Sequence, residues 1–281
     1  MNPVIWRLVA GLVLSTLIGL VAYRKQALSG SGVAGAIITG SCIFGFGGWV
    51  WGLTLIAFFV YGTLLSRFKE RQKEKVAAEK FEKGSRRDLG QALANGGVGA
   101  ILAVLSFISP DNGWLFAGFI GAMATVNADT WATELGVLSR SAPRLLTTGR
   151  QVPPGTSGGI TALGTLATVL GGLAIGLTAW ALLVGKSWLQ PGTDWAGSWW
   201  LVPVGAAAGL VGSLADSLLG ATVQAMYTQA GTGQATEKKF DRQHRLNPFR
   251  RGWPFMNNDA VNFCSSVIGA AGAAALYLLL V

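Results

Sequence analysis

Residues 157–184 read SGGITALGTLATVLGGLAIGLTAWALLV, a run with no charged residue and many glycines. A helix needs about 20 apolar residues to cross the hydrocarbon core, so this stretch can span a membrane with tilt to spare. Comparable runs lie on either side of it, at 4–22, 33–48, 50–66, 91–109, 114–138, 199–227 and 259–281. The second is short and glycine-rich and has the length of a re-entrant segment; the fifth and seventh are long enough to be tilted or broken. The fold class that follows is all-α: a polytopic transmembrane helical bundle of about seven or eight helices. Composition agrees, with 51% hydrophobic and 12% charged residues where a soluble chain carries roughly 25% charged.

Lysine and arginine excess marks cytoplasmic connections. With the N-terminus outside, the inside segments are 23–32, 67–90, 139–156 and 228–258, and they hold all of the 22 lysines and arginines except Arg7 and Lys186. A miscounted span would scramble that split. The net charge of +9 is therefore topology signal together with attraction to anionic headgroups. No nucleic-acid partner is needed to explain it. Cys42 and Cys264 both fall in apolar runs and form neither a disulfide framework nor a metal spacing. The first run contains Arg7 and is followed by no small-residue cleavage site, so it reads as a retained helix. Trp188, Trp195, Trp199 and Trp200 read as an interfacial belt on the outer side.

The chain divides into N-terminal transmembrane helices (1–66), a charged cytoplasmic segment (67–90), and a bundle (91–281) whose loops 139–156 and 228–258 carry the chemistry-bearing residues. The segment 67–88, RFKERQKEKVAAEKFEKGSRRD, is expected to be a helix leaving the membrane, with Glu70–Lys73 and Glu79–Lys83 as helical pairs. Arg87, Gln91 and Asn95 lie four apart, so they share a helix face that must meet protein or water.

Buried carboxylates are costly and mark function. Asp129 and Glu134 sit in the fifth run, Asp216 in the seventh and Asp259 at the start of the eighth. Asp129 and Glu134, five apart, diverge by about 140° around an unbroken helix. Asn127, Thr130 and Thr133 extend this polar stretch, and a faint internal echo, Ala128-Asp129-Thr130 against Ala215-Asp216-Ser217, suggests a weak duplication. Thr147 to Gly159 read TTGRQVPPGTSGG; Gly155, Thr156, Ser157 and Gly158, before a helix start expected near Ser157, form a candidate phosphate nest, with Arg144 and Arg150 beside it. Arginine can grip phosphate oxygens bidentately. The loop has no GK[ST] and is not a Walker A motif. Finally, Asn258, Asp259 and Asn262 open the last run with oxygen-rich groups that suit Mg²⁺. His244, the sole histidine, stands in a basic loop without a partner pattern and reads as a surface residue. Acids for a divalent metal, arginines and a glycine loop for phosphate, and lipid-facing grooves all lie on one side. That is what transfer of a phosphoryl or nucleotidyl group to a membrane lipid phosphate requires.

The strings NADTWATELGVLS, PRLLTTGRQVPPGTSGGIT, GSLADSLLGATVQ and NNDAVNF, in that order, resemble the DUF92 family of membrane proteins (TMEM19-like), which includes phytyl-phosphate, or prenyl-phosphate, kinases. The likeness runs from about Arg87 to the C-terminus; the first 80 residues match in hydropathy alone. It implies a kinase that converts an isoprenoid monophosphate to the diphosphate with a nucleoside triphosphate, in tocopherol- or quinone-type metabolism. The third string is similar, more weakly, to a signature of CTP-using lipid enzymes, which makes CTP the preferred donor. The expected catalytic residues are Asp129, Asp216, Arg144 and Arg150. Arg87, Asn95, Asn127, Gly155, Thr156, Ser157, Gly158, Asn258 and Asn262 would bind nucleotide or phosphate, and Asp129, Glu134, Asp216 and Asp259 would hold Mg²⁺. The family pattern often places cysteines in the loop after the third string; residues 227–249 here contain none, so no metal or redox role is assigned there. Expected partners are the isoprenoid phosphate, the nucleotide and membrane lipids, with a homodimer left open. The expected setting is a bacterial inner or thylakoid-type membrane with the site facing the cytoplasm. Two other readings use the same parts: a cytidylyltransferase forming a CDP-lipid, and a lipid or ion transporter.

Overall fold

A computed structural model of the chain describes residues 3–77, 86–190, 196–229, 233–241 and 243–280. Eight long helices run through it: α1 (Pro3–Arg24), α2 (Gly30–Cys42, continuing as a π-helical turn Ile43–Gly47), α3 (Trp49–Arg67), α5 (Leu89–Ile108), α6 (Gly113–Gly136), α7 (Ala162–Leu189), α8 (Leu201–Thr222) and α9 (Asn258–Leu280). A short α4 (Glu70–Ala77) follows α3. Seven of the long helices, α2 being counted through Gly47, are long and apolar enough to cross a membrane. The chain is an integral, multi-pass membrane protein.

The helix that falls short in apolarity, α6, is the most enclosed. Every residue from Ala117 to Ala128 is buried, and α6 packs against α5, α7, α8 and α9. It can carry polar groups because its neighbours, not lipid, surround it. Close approach of helices in lipid depends on small interfacial residues. On α7, a Cβ at Gly172 would stand 2.5 Å from the Gly205 carbonyl of α8, so only glycine lets these two backbones meet.

Starts at one end of the bundle are locked by side-chain caps. Ser29 accepts from the Gly32 N–H of α2 at 3.0 Å. Asp88 and Gln91 form a reciprocal capping box on α5, Thr161 accepts from the Gly164 N–H of α7 at 3.0 Å, and Asn257 accepts from the Ala260 N–H of α9 at 2.9 Å. Each cap satisfies amides that a helix start leaves orphaned. The other half of the bundle holds an aromatic cluster in which Phe116 stacks on Phe119 and Trp51 packs tilted against both. Trp188 and Trp199 are exposed there as expected, while Trp200 packs against Tyr277. Trp195 lies outside the described residues.

Several boundaries differ from the sequence reading. The seventh run was expected to stay helical to residue 227, yet α8 stops at Thr222. The chain then enters a three-stranded antiparallel sheet of order β4-β3-β5, formed by β3 (Met226–Thr228), β4 (Ala235–Thr236) and β5 (Phe249–Arg251). Arg251 explains the stop: its guanidinium donates to the Gly220 carbonyl at 3.0 Å and the Ala221 carbonyl at 2.9 Å, capping the negative end of α8. Partial burial lowers the pKa of that guanidinium. The sixth run was expected to become helical near Ser157; instead Gly159–Ile160 (β2) pairs with Arg144–Leu145 (β1), and α7 begins at Ala162. Neither the fifth nor the seventh helix is broken. The segment after α3 is not one continuous helix. The chain turns at Phe68 and Lys69, where Lys69 takes a left-handed φ of 51°, before α4. Glu79 and Lys83 lie outside the described residues.

Candidate functional site

The N-terminal ends of α5 and α9 and the C-terminal ends of α6 and α8 surround a polar chamber of about 480 Å³. α5 supplies Gln91 and Asn95, and Arg87, expected on the same helix face, joins them from the extended segment before the Asp88 cap; α6 supplies Asp129, Thr130, Thr133 and Glu134; α8 supplies Asp216 and Ser217; α9 supplies Asn258 and Asn262. The glycine loop, Gly155 to Gly159, forms one wall.

The two copies of the Ala-Asp echo meet here. On α8, Ser213 Oγ lies 3.5 Å from Asp129 Oδ1 of α6. On α9, Ser265 Oγ donates to Asp216 Oδ2 at 3.1 Å. Asp129 and Asp216 are close enough to act on each other electrostatically. Each carboxylate thus has one oxygen held by a serine and a second with no protein partner among the described residues. This is an oxygen-rich pair at the floor of a solvent-reachable chamber, able to take a hard cation jointly with substrate phosphates. Mg²⁺ is commonly held that way, by one or two carboxylates, water and phosphate oxygens. Among the described residues no cluster of three or more acids, histidines or cysteines forms an all-protein metal cage.

The predicted 140° divergence along α6 is realised, and it separates the roles of its two acids. While Asp129 faces α8, Glu134 faces α3 and α4: Ser66 Oγ donates to Glu134 Oε1 at 2.6 Å, and Lys73 Nζ forms an ion pair with Oε2. Lys73 also donates to the Leu65 and Ser66 carbonyls at 2.7 and 2.9 Å. It therefore caps the end of α3 and does not make the expected helical pair with Glu70. Glu134, expected among the metal ligands, has both oxygens taken by protein donors.

Four other expectations are corrected. Asn127 is fully buried and does not line the chamber; its side-chain N–H donates to the Gly171 carbonyl of α7 at 2.8 Å, a helix–helix bond. Asp259 sits about 100° around α9 from Asn258 and, unlike Asn258 and Asn262 one turn apart, is absent from the chamber lining. Arg144 is exposed and donates to the Gly149 carbonyl at 2.9 Å, closing its own turn. Arg150 is likewise exposed on that turn, outside the chamber lining. Among the described residues the cations at the chamber are Arg87, which was expected there, and Lys73 and Lys238, which were not. Lys73 and Lys238 were hidden in runs of charge whose spacing gave no sign of which side chain turns inward.

The glycine loop is a wall without the helix dipole that was expected behind Ser157. It is fixed by Ser157, which hydrogen-bonds to Gln224 just beyond α8, and by Gly158, pressed against Ala221. Gln224 is buried, and its side-chain nitrogen has no partner among the described residues. Nothing in the local sequence pointed to it.

Residues 13–270 match the family model described as Integral membrane protein DUF92. The Arabidopsis thaliana Protein PGR is 34% identical over 94% of this chain and 93% of its own length. An uncharacterized membrane protein of Methanocaldococcus jannaschii is 31% identical over 96% and 94%. Arabidopsis thaliana Protein VTE6, chloroplastic, is 33% identical over 51% of this chain and 44% of its own length. No solved structure matches. The chain belongs to the DUF92 family of integral membrane proteins.

Proposed function

We propose, for this DUF92 member, a prenyl-phosphate kinase that moves the γ-phosphoryl group of a nucleoside triphosphate, with CTP as preferred donor, onto an isoprenoid monophosphate such as phytyl or geranylgeranyl phosphate. The observation that carries this reading is the Asp129–Asp216 pair at the floor of a chamber ringed by Arg87, Lys73 and Lys238 and walled by the Gly155–Gly159 loop. An acid pair suits a phosphate-bound Mg²⁺, and the cations suit polyphosphate. Their position at the helix ends of a membrane-spanning bundle supports an acceptor presented from the lipid phase.

In the proposed reaction an acceptor phosphate oxygen attacks the γ-phosphorus, a P–O bond forms, and the bond to the β–γ bridging oxygen breaks with release of the nucleoside diphosphate. The acceptor is a phosphate monoester, whose second pKa is about 6, so it is already ionised and needs no strong base. Asp129 and Asp216 would hold Mg²⁺, which supplies charge neutralisation on the polyphosphate. Arg87 and Lys238 would orient phosphate oxygens and stabilise charge that spreads over them as the bond breaks. Asn258 and Asn262 would accept or donate to the donor's polar groups from the α9 face.

Phe119, Ile120 and Met123 are fully buried on α6 beyond the chamber, and this apolar packing supports an enzyme over a transporter. The test is purified protein incubated with phytyl or geranylgeranyl phosphate, Mg²⁺ and each of CTP, ATP, GTP and UTP. Prenyl diphosphate together with a nucleoside diphosphate is the expected product. Pyrophosphate together with a CDP-lipid identifies a cytidylyltransferase instead, and no product from any nucleotide defeats the kinase reading.

A further inference from the structure

A second cavity, of about 90 Å³, lies among α1, α2, its π turn, α3 and α5. Its lining is apolar, with Leu14, Ile18, Ala36, Phe44, Ile56 and Phe59 among its walls. Arg87, Gln91 and Asn95 line this groove and the polar chamber alike. The two spaces therefore meet along one face of α5, polar on one side and hydrocarbon-like on the other.

Arg87 marks the seam. Its backbone is clamped to the first inner connection, with its N–H donating to the Ala27 carbonyl at 3.0 Å and its carbonyl accepting from Ser29 at 2.9 Å. Its guanidinium lies beside the rings of Phe58 and Phe59, 5.9 and 5.4 Å from their centroids, and donates to Thr63 at 3.2 Å. Space for it exists only because residue 62 is glycine: a Cβ there would come within 2.5 Å of the guanidinium. A guanidinium has five N–H donors in a fork that matches phosphate oxygens. Thr63 takes one. Glu134 lies close enough to act on Arg87 electrostatically, but both its oxygens already accept from Ser66 and Lys73. A cation held between aromatic rings, with donors to spare, at the joint between an apolar groove and a polar chamber, has the layout of a receptor for an anion on a hydrocarbon tail.

We infer that the groove receives the hydrocarbon chain of the acceptor lipid, with its phosphate seated on Arg87 and turned toward Asp129 and Asp216. This rests on the kinase reading for the identity of the acceptor and adds its position. On α3 the walls run from Gly52 to Phe59, roughly 10 Å at 1.5 Å per residue, enough for the phosphate-proximal isoprene units, while the rest of the chain leaves the groove past the exposed flank of α1 into lipid. It follows that the N-terminal helices, which lie within the family match from residue 13 onward, select the acceptor, and the α5–α9 part performs the transfer.

The experiment uses the full chain in nanodiscs and a geranylgeranyl monophosphate probe bearing a diazirine on its second isoprene unit. After irradiation without nucleotide, labelled peptides are mapped. The inference expects label between residues 14 and 59, competed by unlabelled geranylgeranyl phosphate and not by phosphatidylglycerol. Label on α7, α8 or α9, label that phosphatidylglycerol removes equally well, or no competable label at all overturns it. Filling the groove by Ile56→Trp, or by Leu55→Trp as a second variant, should raise KM for the C20 acceptor tenfold or more. KM for the nucleotide and for a five-carbon prenyl phosphate should stay unchanged. Equal effects on both acceptors in folded, monodisperse variants also overturn it. Labelling requires no turnover, so specific label in the groove without diphosphate formation defeats the kinase reading alone, and turnover with label elsewhere defeats the groove alone.

Discussion

Replacing Lys73 by methionine tests how the charged segment is tied to the site. Lys73 Nζ holds three acceptors: the Leu65 and Ser66 carbonyls, which end α3, and the Glu134 carboxylate on α6. The two side chains are only 10% and 22% exposed, so water replaces little of what the substitution removes. Removing one partner of a buried ion pair costs about 3–5 kcal/mol, and the residual exposure of Glu134 puts Lys73→Met near the lower end, about 3 kcal/mol. Glu134→Gln keeps one acceptor oxygen, which can serve Lys73 while its NH2 donates to the Ser66 hydroxyl, and should cost about 1 kcal/mol. In Lys73→Met/Glu134→Gln no charge is orphaned, so the pair should cost about 2 kcal/mol, some 2 kcal/mol less than the two single changes together. Unfolding equilibria in mixed dodecyl maltoside–SDS micelles, followed by tryptophan fluorescence, measure all four corners of the cycle. Additivity within about 0.5 kcal/mol would refute the claim that Lys73 and Glu134 form one enclosed unit joining α4 to α6.

Asp129→Asn and Asp216→Asn should each lower diphosphate formation by about 100-fold or more without lowering the unfolding midpoint, and the double variant should be little worse than either single one because the two act as a unit; product assays beside unfolding curves decide. Arg144→Ala and Arg150→Ala should leave nucleotide KM within about threefold, since neither side chain lines the chamber, whereas Arg87→Met should raise acceptor KM well beyond that; steady-state kinetics separate them. Asn127→Ala should cost about 1 kcal/mol, the usual scale of an interhelical hydrogen bond in a membrane protein, with unchanged KM for both substrates. Asp241 accepts from the Arg245 and Gln243 amides and from the Arg245 guanidinium, and these bonds, the Arg245 amide first, hold its carboxyl below the usual range. A depressed folded value means that its contribution is fully present above the ordinary aspartate pKa of about 3.9 and is lost as pH falls through the lower folded value. Protection of the Gln243 and Arg245 amides, taken relative to the intrinsic exchange rate at each pH, should therefore hold at neutral pH and fall only under more acidic conditions, and in Asp241→Ala it should be absent throughout.

Much of the architecture was legible because a membrane imposes a few strong rules on a sequence. Apolar runs and the distribution of lysine and arginine locate the helices and divide their ends into two sets, and the helices observed begin and end within a few residues of those runs. The shared α5 face of Gln91 and Asn95 and the divergence of Asp129 from Glu134 were legible too, since residues on one helix keep a fixed angular relation, whereas Arg87 reaches the chamber from the extended residue before the Asp88 cap and not from the helix. Both are realised in the chamber.

What the sequence alone could not determine is which polar side chains meet, because that depends on how separate helices are set against one another. Spacing brought Asn127 and Asp259 to the neighbourhood of the site, yet packing turned Asn127 to the Gly171 carbonyl and Asp259 away from the lining. Arg144 and Arg150 were the natural phosphate ligands by proximity in the chain, and a short β pairing spends Arg144 on its own turn. Lys73 looked like one solvated charge among many, until the turn at Phe68 and Lys69 folded α4 back and brought it to Glu134. The local rules of helix length, charge and periodicity wrote the bundle into the sequence. The tertiary structure, through contacts between residues 24 to 87 positions apart, decided the seam at Arg87 between an apolar groove and a chamber with two neighbouring carboxylates.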